Sequence, residues 1–181
     1  MESLAKMDGD PSASIIMISF IAILLGFAEP AMSDSSKLKT WDTGKKIPML
    51  IFENIKGEEF SIDTFTGNVM VINFWATWCA PCVKEMPSLI RLAESFQKAP
   101  FKLILVNFGE SPGKVTSFSE TLPDTSDIYL DKKKLSNDSW VTRGLPVTYI
   151  LDKKGNIKFQ VLGELSWDSS EVKKVIGELI R

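Results

Sequence analysis

Apolar residues along the chain fall into two textures, dense runs of strand length and stripes at helical spacing, with polar or glycine-bearing segments between them. Residues 49–52 and 59–62 flank Asn54-Ile55-Lys56-Gly57-Glu58, which predicts a hairpin whose turn uses the glycine. Residues 68–75 (NVMVINFW) form an apolar run of strand length, the pattern of a strand buried on both faces. A helix is predicted from Cys79 or Ala80 onward. Met86, Leu89, Ile90, Ala93 and Phe96 recur on one side, and Lys84, Glu85, Arg91, Glu94 and Lys98 occupy the other. Pro87 falls inside this helix and should kink it. Residues 101–108 (FKLILVNF) read as a second buried strand. Ser111-Pro112 marks a helix start, an N-cap followed by proline at the first helical position, and Val115, Phe118 and Leu122 follow on one face. Next come a short strand at 127–130, a weak helix at 132–140, and strands at 146–151 and 156–162 joined by the tight turn Asp152-Lys153-Lys154-Gly155. A last helix opens with Asp168 as N-cap and Glu171 at N3, with an apolar stripe of Val172, Val175, Ile176, Leu179 and Ile180. This order predicts an α/β fold, a mixed central sheet with helices on both faces and an N-terminal β-hairpin. Its βαβ units require right-handed crossovers.

Upstream, residues 15–28 (IIMISFIAILLGFA) are almost continuously apolar. The run is short for a spanning helix, which needs about 20 residues, and suits the apolar core of an export signal. Gly26-Phe27-Ala28 supplies small residues where a cleavage site needs them. Glu2, Asp8 and Asp10 outnumber Lys6, a poor fit to a positive export start, and Lys37, Lys39, Lys45 and Lys46 follow the run. For an anchor, that asymmetry favours a cytoplasmic carboxyl end. A buried core helix would show a polar face, and this run has none. Residues 1–31 are therefore read as a signal peptide or membrane anchor, 32–47, rich in Ser, Lys, Asp and Thr, as a linker, and 48–181 as the folded domain. The expected location is extracytoplasmic, periplasmic or anchored facing out, with a cytoplasm-facing anchor as the alternative.

Composition narrows the chemistry. The chain has 181 residues, is 44% hydrophobic and 24% charged, and carries a net charge of −2. These are globular proportions, with no basic field to attract nucleic acid. Histidine is absent, which removes histidine-based triads, histidine metal sites and haem ligation by histidine. The two cysteines, Cys79 and Cys82, are three positions apart, so no long-range disulfide framework exists.

Their setting is what matters. A helix amino terminus presents free N–H groups and partial positive charge, which stabilise a thiolate at Cys79. The thiolate is the nucleophile in disulfide exchange. Cys82 lies one turn along with its side chain leaning back, placed to resolve a mixed disulfide. Two other readings compete. Half a zinc site would need two more ligands from a second copy, because this chain has no other Cys or His. A purely structural disulfide closing so short a loop removes little chain entropy and is a poor staple.

The segment Asn73-Phe74-Trp75-Ala76-Thr77-Trp78-Cys79-Ala80-Pro81-Cys82-Val83-Lys84-Glu85-Met86-Pro87 resembles the active-site region of the thioredoxin superfamily, and most of all its TlpA/ResA-like branch. The resemblance covers residues 48–181, and Arg143-Gly144-Leu145-Pro146 is its second matching element. It implies a thioredoxin-like fold in which Pro146 is cis, faces the cysteines, and with Leu145 contacts the partner. Pro87 resembles the family's helix-kinking proline, and Gly163 the glycine after the last strand. Ala80-Pro81 between the cysteines fits this branch, as does asparagine at position 73, where cytosolic thioredoxin has a buried aspartate. Many members of the branch carry a glutamate at the position of Glu85, which implies a role in tuning or shuttling the proton of the pair; the alternative is a solvated surface carboxylate. Trp78 is expected to shield the site and offer a partner surface. Trp41, Trp140 and Trp167 read as ordinary packing.

The resemblance thus implies a protein-disulfide reductase for exported, disulfide-containing partner proteins. In this branch such proteins often act in cytochrome c maturation and are re-reduced by a membrane electron-donor protein. A monomer is expected, with no metal and no cofactor beyond the redox-active disulfide Cys79–Cys82. A net oxidase or isomerase is the main alternative. A thiol peroxidase fits less well, because peroxiredoxins place threonine three residues before the reactive cysteine, where this chain has Ala76. Copper-handling relatives use a wider cysteine spacing and a histidine, and this chain has neither.

Overall fold

The protein is described by a computed structural model covering residues 34–41, 49–122, 127–136, 140 and 144–181. Residues 1–31, read above as a signal peptide or anchor, half of the 32–47 linker and Arg143 lie outside the described residues. A 3-10 turn at Asp34–Lys37 precedes β1 (Lys39–Thr40). The hairpin β2 (Ile51–Asn54) and β3 (Glu59–Ser61) leads through a 3-10 turn, Ile62–Phe65, into β4 (Val69–Trp75). Then follow α1 (Ala80–Ser95), β5 (Phe101–Phe108), α2 (Pro112–Ser119), β6 (Asp127–Asp131), β7 (Val147–Leu151), β8 (Ile157–Leu162) and α3 (Ser170–Ile180).

The strands make one mixed sheet in the order β1-β8-β7-β4-β5-β6-β2-β3. Strand β4 is buried along its whole length, as its unbroken apolar run requires of a central strand. It pairs parallel with β5, and β5 parallel with β6, while β7 runs antiparallel to β4 and β8 antiparallel to β7. The steps β4–α1–β5 and β5–α2–β6 travel in the same direction across the sheet, so right-handed crossovers put both helices on one face. Met86 and Leu89 of α1, Val115 of α2, and Val172 and Ile176 of α3 share one buried cluster with Val69, Val71, Leu103, Leu105 and Ile150. The alternate strand residues Met70, Ile72, Phe74, Ile104 and Val106 form the second cluster with Leu50, Phe52, Trp140 and the 3-10 residues Ile62 and Phe65. Among the described residues, helical segments therefore cover both faces unequally, three α-helices on one and a 3-10 turn on the other.

The hairpin forms where the alternation and the glycine place it. Phe52 pairs with Phe60, Gly57 adopts φ +88°, and the Asn54 Oδ1 accepts from the Lys56 and Glu58 amides at 2.9 and 3.0 Å. A side chain at φ near +88° would be strained, which is why the turn carries glycine.

Three expectations need correction. Residues 34–41, read as part of the linker, belong to the compact unit Ser33–Arg181. β1 pairs with β8 through Lys39↔Gln160 and Thr40↔Phe159, giving that edge of the sheet a backbone partner. The weak helix at 132–140 is not formed over the described residues 132–136. Buried Asp131 accepts from the Leu135 and Ser136 amides at 2.8 and 3.0 Å and also takes the Ser136 hydroxyl, so a side chain satisfies amides that helix would otherwise use. The last helix is capped one residue later than expected. Ser169 is its N-cap, accepting from the Val172 amide at 3.4 Å, and Asp168 is instead engaged by Arg91 at 2.6 Å.

Candidate active site

Strand β4 ends at Trp75, and the turn Ala76-Thr77-Trp78 carries the chain to Cys79, the N-cap of α1. Cys79 and Cys82 are joined by a disulfide with their Cα atoms 5.3 Å apart. The Cys82 amide, one of the unpaired donors of the helix start, points to Cys79 Sγ at 3.3 Å. The two sulfurs differ in access, since Cys79 retains 5% exposure and Cys82 none. An incoming disulfide meets Cys79 first.

Trp78, Ala80 and Pro81 are exposed beside Cys79, with Trp78 64% exposed. The Leu145–Pro146 peptide bond is cis. Pro146 is buried, and Leu145 is half-buried against both core clusters, one of which contains the two cysteines. The Pro146 carbonyl accepts from the Gly163 amide at 2.9 Å, and Gly163 takes φ +84°, a conformation natural to glycine that turns the chain after β8. Pro87 lies within α1 and supplies no amide to the carbonyl four residues earlier.

Glu85 departs from its place in the helical periodicity. Drawn with the polar side of α1, it is only 3% exposed. Its Oε1 accepts from Asn73 Nδ2 at 2.8 Å, and its Oε2 from the Leu165 amide at 3.1 Å and Trp167 Nε1 at 2.9 Å. Trp167, read as ordinary packing, is therefore also a donor to this carboxylate. Asn73 pairs across the sheet with Thr148 and donates to its hydroxyl at 2.8 Å, while Asn73 Oδ1 has no hydrogen-bond partner. Burial is the dominant influence on Glu85 and pushes its pKa up to about 7. The three donors, Trp167 first, pull against it, and the charge of Glu164 adds to the rise. Leu165 and Trp167 sit in the buried cluster that holds both cysteines. A cavity of about 230 Å³ also has Glu85 in its lining, along with Lys84, Ser88, Arg91, Glu164 and Asp168.

A second buried carboxylate of the site, not foreseen in the sequence, is bonded to the turn itself. Glu110 is 8% exposed and takes Thr77 N and Thr77 Oγ1 at 2.7 Å each, Asn107 Nδ2 at 2.8 Å and Lys114 Nζ at 2.6 Å. Burial alone would raise its pKa, but these donors outweigh it and hold Glu110 at about 2. The one signal for it in the sequence was its position just past the end of a buried parallel strand, where open α/β sheets gather functional residues. Among the described residues no group of His, Cys, Asp and Glu is arranged to hold a metal ion.

A buried strand leading into a helix capped by a disulfide cysteine, with a cis Leu–Pro bond in the loop before an antiparallel strand, defines a thioredoxin-like thiol–disulfide oxidoreductase, an enzyme of the protein-disulfide reductase class. The chain belongs to the AhpC/TSA family, whose model matches residues 43–160. It is 30% identical over 128 residues to the thiol-disulfide oxidoreductase ResA of Geobacillus kaustophilus, covering 71% of this chain and 74% of that protein. It is 33% identical over 133 residues to the thioredoxin-like protein YneN of Bacillus subtilis, covering 72% of this chain and 77% of that one. Among solved structures it resembles a Chlorobium tepidum chain assigned as the thiol:disulfide interchange protein DsbE, with a TM-score of 0.69 at 22% identity, over 78% of this chain and all of that one. Among the described residues no helix is long and apolar enough to cross a membrane.

Proposed function

We propose that the chain reduces disulfides in exported partner proteins. The observation that carries this reading is the unequal access of the two sulfurs at the head of α1, with Cys79 keeping a slight exposure and Cys82 none. In the reduced enzyme the Cys79 thiolate attacks one sulfur of the partner disulfide. A Cys79–partner S–S bond forms, the partner S–S bond breaks, and the displaced partner thiolate takes up a proton. Cys82, as thiolate, then attacks Cys79 Sγ and displaces the second partner thiolate. The enzyme is left as the Cys79–Cys82 disulfide and the partner as a dithiol, two electrons having passed to it. Glu85 serves as the group that accepts the Cys82 proton, since a carboxyl held near 7 exchanges protons at neutral pH. Trp78, Ala80, Pro81, Leu145 and Pro146 form the surface on which the partner lies. A membrane electron-donor protein returns the enzyme to the dithiol, and apocytochrome c cysteines are a client of suitable chemistry.

Cys82→Ser expressed in the native cell tests the reading. It is expected to accumulate mixed disulfides through Cys79 to exported proteins, and adducts confined to cytosolic proteins would overturn the assignment of client. The redox potential tests direction. Reducing members of the fold sit near about −270 mV and strong oxidants near about −120 mV, so a value above about −150 mV would make the enzyme a net oxidase. Peroxide turnover at the rate of disulfide reduction would make it a peroxidase instead.

A further inference from the structure

We propose that Glu110 is a positioning residue for the nucleophile, locking the turn that delivers Cys79 to the head of α1. The proposal rests on the reading of Cys79 as the attacking sulfur. The turn has few ways to hold itself. The Cys79 amide closes back on the Ala76 carbonyl at 3.1 Å, and Trp78 projects into solvent without burial to fix it. Thr77, between them, gives both its amide and its hydroxyl to Glu110. The same carboxylate is tied to the end of β5 by Asn107, whose own Oδ1 accepts from the Glu110 amide at 3.3 Å, and to α2 by Lys114. Glu110 thus joins three elements at the residue two positions before the nucleophile.

The chemistry of the donor set makes glutamate necessary. All four contacts of its carboxylate, three side chains and one backbone amide, are donors at 2.8 Å or less. Glutamine would present an NH₂ to at least one of them and leave a buried donor facing a donor. The charged side chains on α1, on β5, on α2 and at the join of β5 and α2 are Lys84, Glu85, Arg91, Glu94, Lys102, Glu110 and Lys114; among the described residues Glu110 is the one whose carboxylate bonds to the turn itself.

Geometry and charge act on Cys79 with opposite sign, which makes the proposal testable. Deleting a nearby negative charge eases formation of a thiolate and lowers the Cys79 pKa. Loosening the turn withdraws the sulfur from the helix amides and raises it. Lys114 already offsets the charge of Glu110, so the second effect wins. The test is alkylation rate against pH on the full reduced chain. Glu110→Gln is expected to raise the Cys79 pKa by about one unit, a roughly tenfold loss of thiolate below it. Thr77→Val, which keeps the charge and removes one of the two Thr77 bonds, should move it the same way by about threefold. A folded Glu110→Gln with an unchanged or lowered Cys79 pKa overturns the proposal. If Glu110→Gln does not fold, Thr77→Val decides alone, and no rise there overturns it. Cys79→Ser separates this from the reading beneath it, because a Cys79→Ser protein that still reduces disulfides removes Cys79 as nucleophile whatever Glu110 does.

Discussion

Replacing Glu85 by glutamine in the oxidised protein isolates one buried carboxyl, because the cysteines are then disulfide-bonded and do not titrate. A carboxyl raised from 4.5 to about 7 on folding contributes stability that is fully present below about pH 4.5. That contribution is lost as the pH rises through 7, because the folded state must ionise a group it prefers to keep protonated. A displacement of this size corresponds to about 3 kcal/mol between the two limits. Glutamine carries no such dependence. It also fits the site, because Asn73 Oδ1 is unpartnered: turning the Asn73 amide over lets that oxygen accept from the new NH₂, while Thr148 donates to it instead. Urea unfolding of the two oxidised proteins at intervals from pH 4.5 to 8 measures the effect. Glu85→Gln should gain on the parent protein by about 3 kcal/mol across that range. Curves that run parallel would refute the reasoning. Glu110 does not blur the result, since its pKa near 2 places its own loss of stability on the acid side, as pH falls from about 4.5 toward 2.

Trp167→Phe removes the indole donor from Glu85 Oε2 and should raise the Glu85 pKa above about 7, read by carbon NMR of the carboxyl; an unchanged or lower value would sink this account of the site. Met86→Ala empties a position only 1% exposed between α1 and the sheet and is expected to cost about 2–5 kcal/mol in chemical denaturation. Trp78→Ala, by contrast, touches a side chain 64% exposed. It should leave stability within about 0.5 kcal/mol and slow reduction of a protein disulfide more than that of a small one.

Strand-forming segments were legible because burial on two faces leaves an unmistakable apolar run, as in Val69–Trp75 and Phe101–Phe108. The cysteine pair was legible because its chemistry needs only local spacing. Most of what escaped depends on a distant partner. Glu85 sits at a helical position that looks solvated until Leu165 and Trp167, some eighty residues later, close over it. Glu110 reads as a loop carboxylate until Thr77 folds against it. Asp131 overrides helix at 132–136 through side-chain acceptance that no periodicity records. The cap of α3 shifts by one residue because Arg91, on another helix, claims Asp168.

The two buried glutamates show why residue type alone does not assign a role. Each accepts several hydrogen bonds, yet one is held near 2 and the other near 7. The donors to Glu85 are neutral, an amide side chain, a backbone amide and an indole, and the charged group that acts on it is another carboxylate, Glu164. Glu110 has an ammonium at 2.6 Å. At Glu85 three neutral donors soften the penalty of burial without cancelling it, whereas at Glu110 Asn107 first, then Lys114 and the two Thr77 donors, together outweigh that penalty and make the ionised form the stable one. Glu110 is therefore a fixed ion suited to holding a turn, and Glu85 a group poised to exchange a proton. The like charge at Glu164 should be separable from burial. Glu164→Gln, which leaves the Leu165 amide in place, is expected to lower the Glu85 pKa by less than one unit, because Lys84 at 2.7 Å already offsets much of that charge and burial is the larger influence. A fall all the way to 4.5 would mean that Glu164, and not burial, governs the site.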